Sequence, residues 1–262
     1  MHDSGSVNRA FSAQASHYDS DDKANLVLKD LRKQVYSHVA LYMRPNSSIL
    51  ELNAGTGIDA AYFVSQGHTV LATDLSDGMV NELHKKAAGL NGRLSVKQLS
   101  FENLELIEGR EFDYVFSNFG GLNCIDDLQR VTIHLPKLLK PGGFVTWVIM
   151  PPDHLWEQLS ILKGNRNAFR RWNKDGVMAH IDGSYFRTWY HSLSSIRDAF
   201  GKNFELIRNE GLAAVSPPPH RYDFPRKYPG TYNLLRRFDN LLRGTFPFDR
   251  CADHIIVTFR LK

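Results

Sequence analysis

Gly55, Gly57 and Ala60, in the stretch ELNAGTGIDA (51–60), satisfy the pattern G-x-G-x-x-A. Glycines at that spacing let a ligand approach the backbone closely, and the N–H groups that open a following helix attract an anion. Asp74 closes the next apolar run, HTVLATD (68–74), where a carboxylate can accept hydrogen bonds from both hydroxyls of a ribose. In DLSDGM (74–79), Ser76 can cap the next helix, while Leu75 and Met79 offer apolar faces to an adenine ring. The chemistry open to these residues is the holding of an adenosine-bearing cofactor. The glycines and Asp74 by themselves suit a nicotinamide as well as any other member of that class.

For the glycines to face a ligand, they must join a strand to a helix. Residues 48–50 (SIL) read as a short buried strand, and AAYFVSQG (60–67) as a helix with apolar spacing that stops at Gly67. The spacing predicts a helix over 25–43, a strand over 48–53, a helix over 57–66, a strand over 69–74, a helix over 77–88 and a strand over 93–99. A strand over 112–118, a helix over 126–139 and a strand over 143–150 follow. Strands alternating with helices predict a parallel sheet covered on both faces, its carboxyl ends along one ligand-binding rim. After Pro151 and Pro152 the alternation breaks, and residues 151–191 read as an insertion of two short helices and a possible strand at 185–192. A helix over 192–200 and strands over 203–209 and 253–260 resume the pattern. Between those last strands lie PPPHRYDFPRKYPG (217–230) and a helix near 230–243.

With 42% apolar and 23% charged residues in 262, the chain has the make-up of a soluble globular protein. Its longest apolar run, near 144–150, falls well short of the ~20 residues a membrane helix needs, so no membrane span is expected. MHDSGSVNRAF at the start has no secretion pattern. Cys124 and Cys251 are too few for a disulfide framework or a structural zinc, and a reducing cytoplasm is the expected compartment. No His and carboxylate cluster has the spacing of a metal site. A net charge of +4 permits an acidic partner without demanding one.

Three linked segments go further. ILELNAGTGIDAAYFVSQGHTVLATDLSDGM, FDYVFSNFGG and LLKPGGF, in this order and spacing, resemble the class I methyltransferases that use S-adenosylmethionine. The nearest look-alikes are small-molecule enzymes of the ubiquinone- and biotin-pathway kind. The resemblance covers residues 7–150 well and the two closing strands loosely. It implies a doubly wound, Rossmann-like α/β fold with a seven-stranded sheet, order 3-2-1-4-5-7-6, strand 7 antiparallel. It also implies S-adenosyl-L-methionine as the cofactor. Glu51, Ala54, Gly55 and Gly57 match the family's first motif, whose turn runs beneath the methionine part; Asn53 stands where Gly or Cys is usual. By the same resemblance Asp74 would hold the ribose, with Leu75 beside the adenine. In LSFENL (99–104) Ser100 replaces the acid that commonly meets the adenine amino group, so contact there would rest on its hydroxyl and on the Phe101 backbone. Asn118 and Phe119 fall where the family places its methionine-amino contact and the substrate entry. Phe11, Ala15 and Tyr18 match F-x-x-x-A-x-x-Y, a segment that forms a lid across the cofactor within residues 1–45.

For the acceptor side, the insertion is rich in rings. Trp156, Trp172, Tyr185 and Trp189 either roof the transferred methyl and touch the substrate or build a small subdomain core. His154, His180 and His191 flank this stretch as general-base candidates if the acceptor must lose a proton. FSNF (116–119) lacks the Pro-Pro-aromatic motif of adenine and glutamine-amide methylation, and no Pro-Cys stands on that strand. Cys124 reads as a core or pocket-edge residue. The excursion over 212–250 carries basic residues interleaved with rings, which fits RNA, an acidic carrier or a solvated face. The expectation is a single methyltransferase domain over 1–262 that moves a methyl group to a small organic molecule by in-line displacement, with no nucleic-acid partner. RNA or a carrier-bound acyl group as acceptor is the alternative, as is a binding module that keeps the cofactor pocket without transfer.

Overall fold

The computed structural model describes residues 3–107 and 109–262; residues 1 and 2 of the expected lid lie outside them. Strands β1 (Ser48–Leu52), β2 (Thr69–Asp74), β3 (Leu94–Gln98), β4 (Phe112–Ser117) and β5 (Leu139–Ile149) form parallel ladders. A hairpin, β6 (Val177–Ile181) and β7 (Ser184–Thr188), stands apart from the sheet. β9 (His254–Leu261) inserts antiparallel between β5 and β8 (Phe204–Leu212), giving the order β3-β2-β1-β4-β5-β9-β8. With the hairpin strands left out of the numbering, this is the order the family resemblance implies.

Side chains along each strand alternate between two cores. Leu50, Leu52, Val115, Val145 and Trp147 pack on one face with Ile196 and Phe200. Ile49, Val70, Tyr114 and Phe116 pack on the other with Val27, Leu31, Phe63 and Leu83. Burial on both faces explains why the central strands β1, β4 and β5 read as largely apolar runs.

Helices α1 (Ser4–Ala24) and α2 (Leu26–Val39) precede β1. The helix predicted over 25–43 starts one residue later, because Asn25 caps it with its side chain accepting from the Val27 and Leu28 amides, and it ends at Val39, after which the Leu41 and Tyr42 amides close tighter turns on the His38 and Val39 carbonyls. α3 (Ile58–Ser65) follows β1 and α4 (Asp77–Ala87) follows β2. The helix predicted over 126–139 is instead two short turns, Gln129–Thr132 and Leu135–Leu138. Pro136 lacks the amide that would continue the first into the second, and Leu139 already belongs to β5. The strand predicted over 185–192 ends at Thr188 and has a partner, β6, that was not expected. The two strands meet at Asp182–Gly183, both with positive φ (44° and 81°), the Asp-Gly signal of a tight hairpin turn.

Within the excursion, helix Pro229–Leu242 packs back on α2: the Tyr232 hydroxyl donates to Asp30 at 2.9 Å and Arg236 pairs with Asp30 at 3.3 Å. Other basic residues there are also met by acids, Lys227 by Asp223 (2.6 Å), Arg243 by Glu210 (3.5 Å) and Arg250 by Asp249 (2.9 Å). Among the described residues, no helix is long and apolar enough to cross a membrane.

Candidate functional site

A cavity with about 870 Å³ of empty space, its mouth included, opens at the carboxyl ends of β1, β2, β3 and β4. Asn53, Ala54 and Gly55 line it from the β1 turn, Asp74, Leu75 and Met79 from the end of β2, and Ser100 and Phe101 from the end of β3. Asn118 and Phe119 line it from the end of β4, and Tyr18 and Phe11 from α1. These sequence-predicted residues are brought together. Glu51 and Gly57 are not among the lining residues, and neither are Trp156, Trp172, Tyr185 or Trp189.

The turn explains its own residue choice. Asn53 has φ 44°, a left-handed conformation that Asn tolerates better than most side chains. Its carbonyl oxygen accepts from the Ser117 hydroxyl at 2.7 Å, and its amide donates to the Asn118 carbonyl at 3.2 Å. It therefore laces the β1 turn to β4. A Cβ on Gly121 would stand 2.4 Å from Asn53, so the second glycine of FSNFGG makes room for it. Gly57 (φ 83°) caps α3, where a Cβ would fall 2.1 Å from Leu83 of α4; its lack of a side chain serves helix packing. Asp74 accepts from the Gly55 amide and the Ser76 amide, each at 2.8 Å, and burial raises its pKa against those bonds.

A buried charge network crosses the floor. Arg32 of α2, which also lines the cavity, donates to Asp22 of α1 at 2.6 Å and to Asp59 of α3. Asp59 further accepts from the Tyr36 hydroxyl (2.6 Å) and from the Asn118 amide (2.9 Å). The Arg32 guanidinium lies 4.9 Å from the centre of the Phe119 ring, and Phe119 itself is left-handed at φ 44°. A bulky residue in that conformation is the kind of strain that collects at functional sites. Glu51, 1% exposed, has an oxygen with no hydrogen-bond partner. Burial, together with Asp59 and Asp74, raises its pKa well above the ordinary value, against the pull of Arg32 and Lys86. Tyr18 stands beside Arg32, and burial of its hydroxyl pushes it up to about 12. Burial, with Asp74, likewise pushes the Cys124 thiol at the cavity wall up to about 12, which keeps it protonated.

α1 closes the cavity by docking on α4. Asn8 exchanges bonds with Asp77, its amide donating at 2.9 Å and its carbonyl accepting from the Asp77 amide at 3.0 Å. The Ser12 hydroxyl meets the Ser76 hydroxyl at 2.9 Å and accepts from the Gly78 amide at 3.0 Å. A Cβ on Gly78 would stand 2.7 Å from Ser12 backbone atoms, so the glycine of DLSDGM is what lets the two helices touch. The β6–β7 hairpin packs on α1: the Phe11 and Phe186 rings are 5.4 Å apart and His17 reaches Asp182 at 2.9 Å.

The insertion rings lie in this outer shell or further away. The Trp156 indole donates to the Val215 carbonyl at 3.0 Å, and Trp172, 55% exposed, donates to Asp153 at 3.1 Å. Tyr185 is 63% exposed beside His180, while Trp189 is buried with its amide donating to the Asn123 carbonyl at 2.7 Å. Of the expected base candidates, His191 bonds the Ile125 carbonyl at 2.9 Å, and burial lowers its pKa. His154 is fully enclosed, and His180 lies on the exposed side of β6.

The pattern of the family described as a methyltransferase domain matches residues 49–143. The segment matched runs from β1 to the start of β5 and holds the turn, Asp74 and Phe119. Residues 49–143 are thus a methyltransferase domain, on the sheet order of the class I S-adenosylmethionine-dependent fold. Over 139 residues (53% of the chain, 56% of the relative) it is 30% identical to the demethylmenaquinone methyltransferase of Clavibacter sepedonicus. Over 156 residues (59% and 57%) it is 28% identical to the malonyl-[acyl-carrier protein] O-methyltransferase of Enterobacter lignolyticus (strain SCF1). The chain thus spans a little over half the length of the curated relatives it matches. In fold it is similar to the 1,6-didemethyltoxoflavin-N1-methyltransferase of Burkholderia thailandensis, solved with 1,6-didemethyltoxoflavin and S-adenosylhomocysteine, at a TM-score of 0.59 and 17% identity over 98% of this chain and 88% of that one.

Sequence reasoning missed Arg32, Asp59 and Gly78. Asp59 lay inside the quoted ELNAGTGIDA, where its place at the opening of α3 was a usable signal. Arg32, in KDLRKQ, has no local signal, because its role depends on α1 and α3 arriving from either side.

Proposed function

We propose that the chain transfers a methyl group from S-adenosylmethionine to a small organic molecule. The observation that carries this reading is the sign of the buried charge. Asp59 and Asp74 line an apolar-walled cavity, and Glu51, buried near them, keeps an oxygen without a donor. A buried carboxylate without a partner calls for a cation, and the methionine part of this cofactor brings an ammonium and a sulfonium. The pyrophosphate of a nicotinamide dinucleotide would meet the same carboxylates with the wrong sign. The residues present therefore fit the methyl donor.

In this reading Asp74 faces the ribose, Leu75, Met79 and Phe101 enclose the adenine with Ser100 at its edge, and Asn118 and Glu51 serve the ammonium. Arg32 and the Gly55 turn serve the carboxylate, and Tyr18 covers the methionine end. When bound, the cofactor supplies an electrophilic methyl group on a positively charged sulfur. The chain's own work is alignment and exclusion of water: α1 closes over the cavity, and a dry site strengthens every charge inside it. A small acceptor is supported by that closure and by the pairing of the excursion's Lys227, Arg236, Arg243 and Arg250 with acids of the same chain, which leaves less charge for RNA. We read the whole chain as one such domain with a lid (1–45), an insertion (151–191) and an excursion (212–250).

Calorimetric titration with S-adenosylmethionine, S-adenosylhomocysteine and NAD tests the proposal, with Asp74→Ala as control. Micromolar binding of the first two, weakened in the variant and joined by methylation within a panel of small acceptors, is the expected result. Binding of NAD alone overturns it.

A further inference from the structure

β9 runs antiparallel to β5, so its first residue lies on the rim where the parallel strands end. That residue is His254, and its ring meets Phe119 edge-on, centres 5.6 Å apart. Phe119 is also faced by Arg32 of the cavity wall. His254 Nδ1 lies 2.9 Å from an Asp253 carboxylate oxygen. A carboxylate accepts and does not donate, so Nδ1 carries a ring proton, and in the neutral imidazole Nε2 is the nitrogen with the lone pair. Nε2 has no hydrogen-bond partner among the described residues.

The residue packed beside Nε2 is a glycine. Gly120, between the cavity-lining Phe119 and Gly121, has φ 75°, and a Cβ there would stand 3.6 Å from Nε2 and 3.0 Å from Met150. Asp253, 5% exposed, is itself held in place. Its other carboxylate oxygen accepts from Arg171 at 3.2 Å, its backbone carbonyl accepts from Arg171 at 3.2 Å, and its amide donates to the Leu212 carbonyl at 3.1 Å. Arg171 is fixed in turn by Glu157 at 3.0 Å and by the Tyr190 ring. His154, enclosed behind Asp253 at 3.8 Å, backs this arrangement and does not reach the rim. Burial opposes the charge on Asp253, yet His254, His154 and Arg171 together hold its carboxyl well below the usual range. A carboxylate fixed in this way can orient an imidazole and stabilise its cation.

We propose that His254, positioned by Asp253 and Arg171, is the general base of the transfer, and that the acceptor is a protic oxygen or nitrogen whose proton must leave as the methyl group arrives. The inference rests on the small-molecule reading above and narrows it to O–H and N–H acceptors. The acceptor X–H gives its proton to Nε2 as the X–C bond forms and the S–C bond of the sulfonium donor breaks; the electron pair of that bond stays on sulfur. The imidazolium so formed is stabilised by Asp253. The insertion thereby gains a task other than roofing the substrate, since it delivers Arg171.

The test compares wild type, His254→Ala, His254→Gln and Asp253→Asn on phenols of graded acidity and on carboxylic acids, with S-adenosylhomocysteine affinity measured in each. For weakly acidic phenols His254→Ala should lower kcat by about a hundredfold or more, the usual scale of acid–base catalysis. Acceptors already ionised in the assay should lose little, and added imidazole should restore part of the rate to the alanine variant alone. Cofactor affinity should stay within about twofold, showing that the pocket is folded. A loss independent of acceptor acidity, or no loss, overturns the proposal. A wild-type chain that binds the cofactor yet methylates nothing in the panel fails differently: it sinks the small-molecule reading, and the base with it.

Discussion

Glu51 is held in β1 with an oxygen that meets no donor, so its charge opposes folding until a cation arrives. Glu51→Gln should therefore act in two directions. The unliganded protein should gain about 1–3 kcal/mol, the scale of an unsatisfied buried polar group, and melt a few degrees higher. Affinity for S-adenosylmethionine should fall at least about tenfold, roughly 1.4 kcal/mol. Thermal melts and calorimetry on the same samples check both; a variant that melts lower removes the argument. The sign also fixes a pH dependence. Burial first, and then Asp59 and Asp74, raise this carboxyl above its ordinary 4.5. The folded state thus takes up the proton before the unfolded one, and wild type gains stability relative to Glu51→Gln as pH falls through the raised value towards 4.5. The gap between the two melting temperatures should narrow over that range. At this scale legibility was uneven. Asn53 and Ser100 were visible as departures from a motif, and the geometry supplies a reason for Asn53. His254 carried no motif, because its neighbour Phe119 is distant in sequence and β9 brings them together.

At the scale of elements, the contact of α1 with α4 depends on Gly78. Gly78→Ala places a methyl against Ser12 backbone atoms, so α1 must shift away. The expected result is cofactor affinity reduced about tenfold and faster proteolysis within α1, restored only partly by saturating ligand. Unchanged cleavage would show that α1 adjusts without undocking. The hairpin is tied to α1 by His17, whose pKa is raised by its bond to Asp21 and, against some desolvation, by Asp182. A raised histidine contributes when protonated, so the tie is full below 6.5 and is lost as pH rises through the higher folded value. Hydrogen exchange of the β6 and β7 amides should accelerate on crossing that value, and His17→Gln should flatten the response. The strand–helix alternation was legible because buried parallel strands advertise themselves as apolar runs. The β6–β7 hairpin went unread although Asp182–Gly183 signalled it, since exposed residues such as Met178 and His180 give β6 little apolar pattern. The aromatic excess of the insertion was legible too, but not its direction: Phe186 packs on the lid, and Trp156 turns to the excursion helices.

Across the whole molecule, the cavity is bounded by segments from α1, α2 and the ends of four strands, so a ligand there joins parts that are far apart in sequence. S-Adenosylhomocysteine at about 100 times its dissociation constant should stabilise the protein by about 2.7 kcal/mol and protect α1 from proteolysis in the same titration. Stabilisation without protection would place the ligand outside the lid. The sheet order holds one more consequence. β9 follows β8 in the chain but lies between β5 and β8, so a nascent polypeptide that has just emerged through β8 has a gap where two neighbouring strands should be bridged. Both flanking edges then present unpaired backbone groups ready to pair with another chain. The strand that fills the gap also brings Asp253 and His254 to the rim. Closing the sheet and arming the site are thus one event in biosynthesis, and a translation product halted before residue 253 would be both sticky and inert.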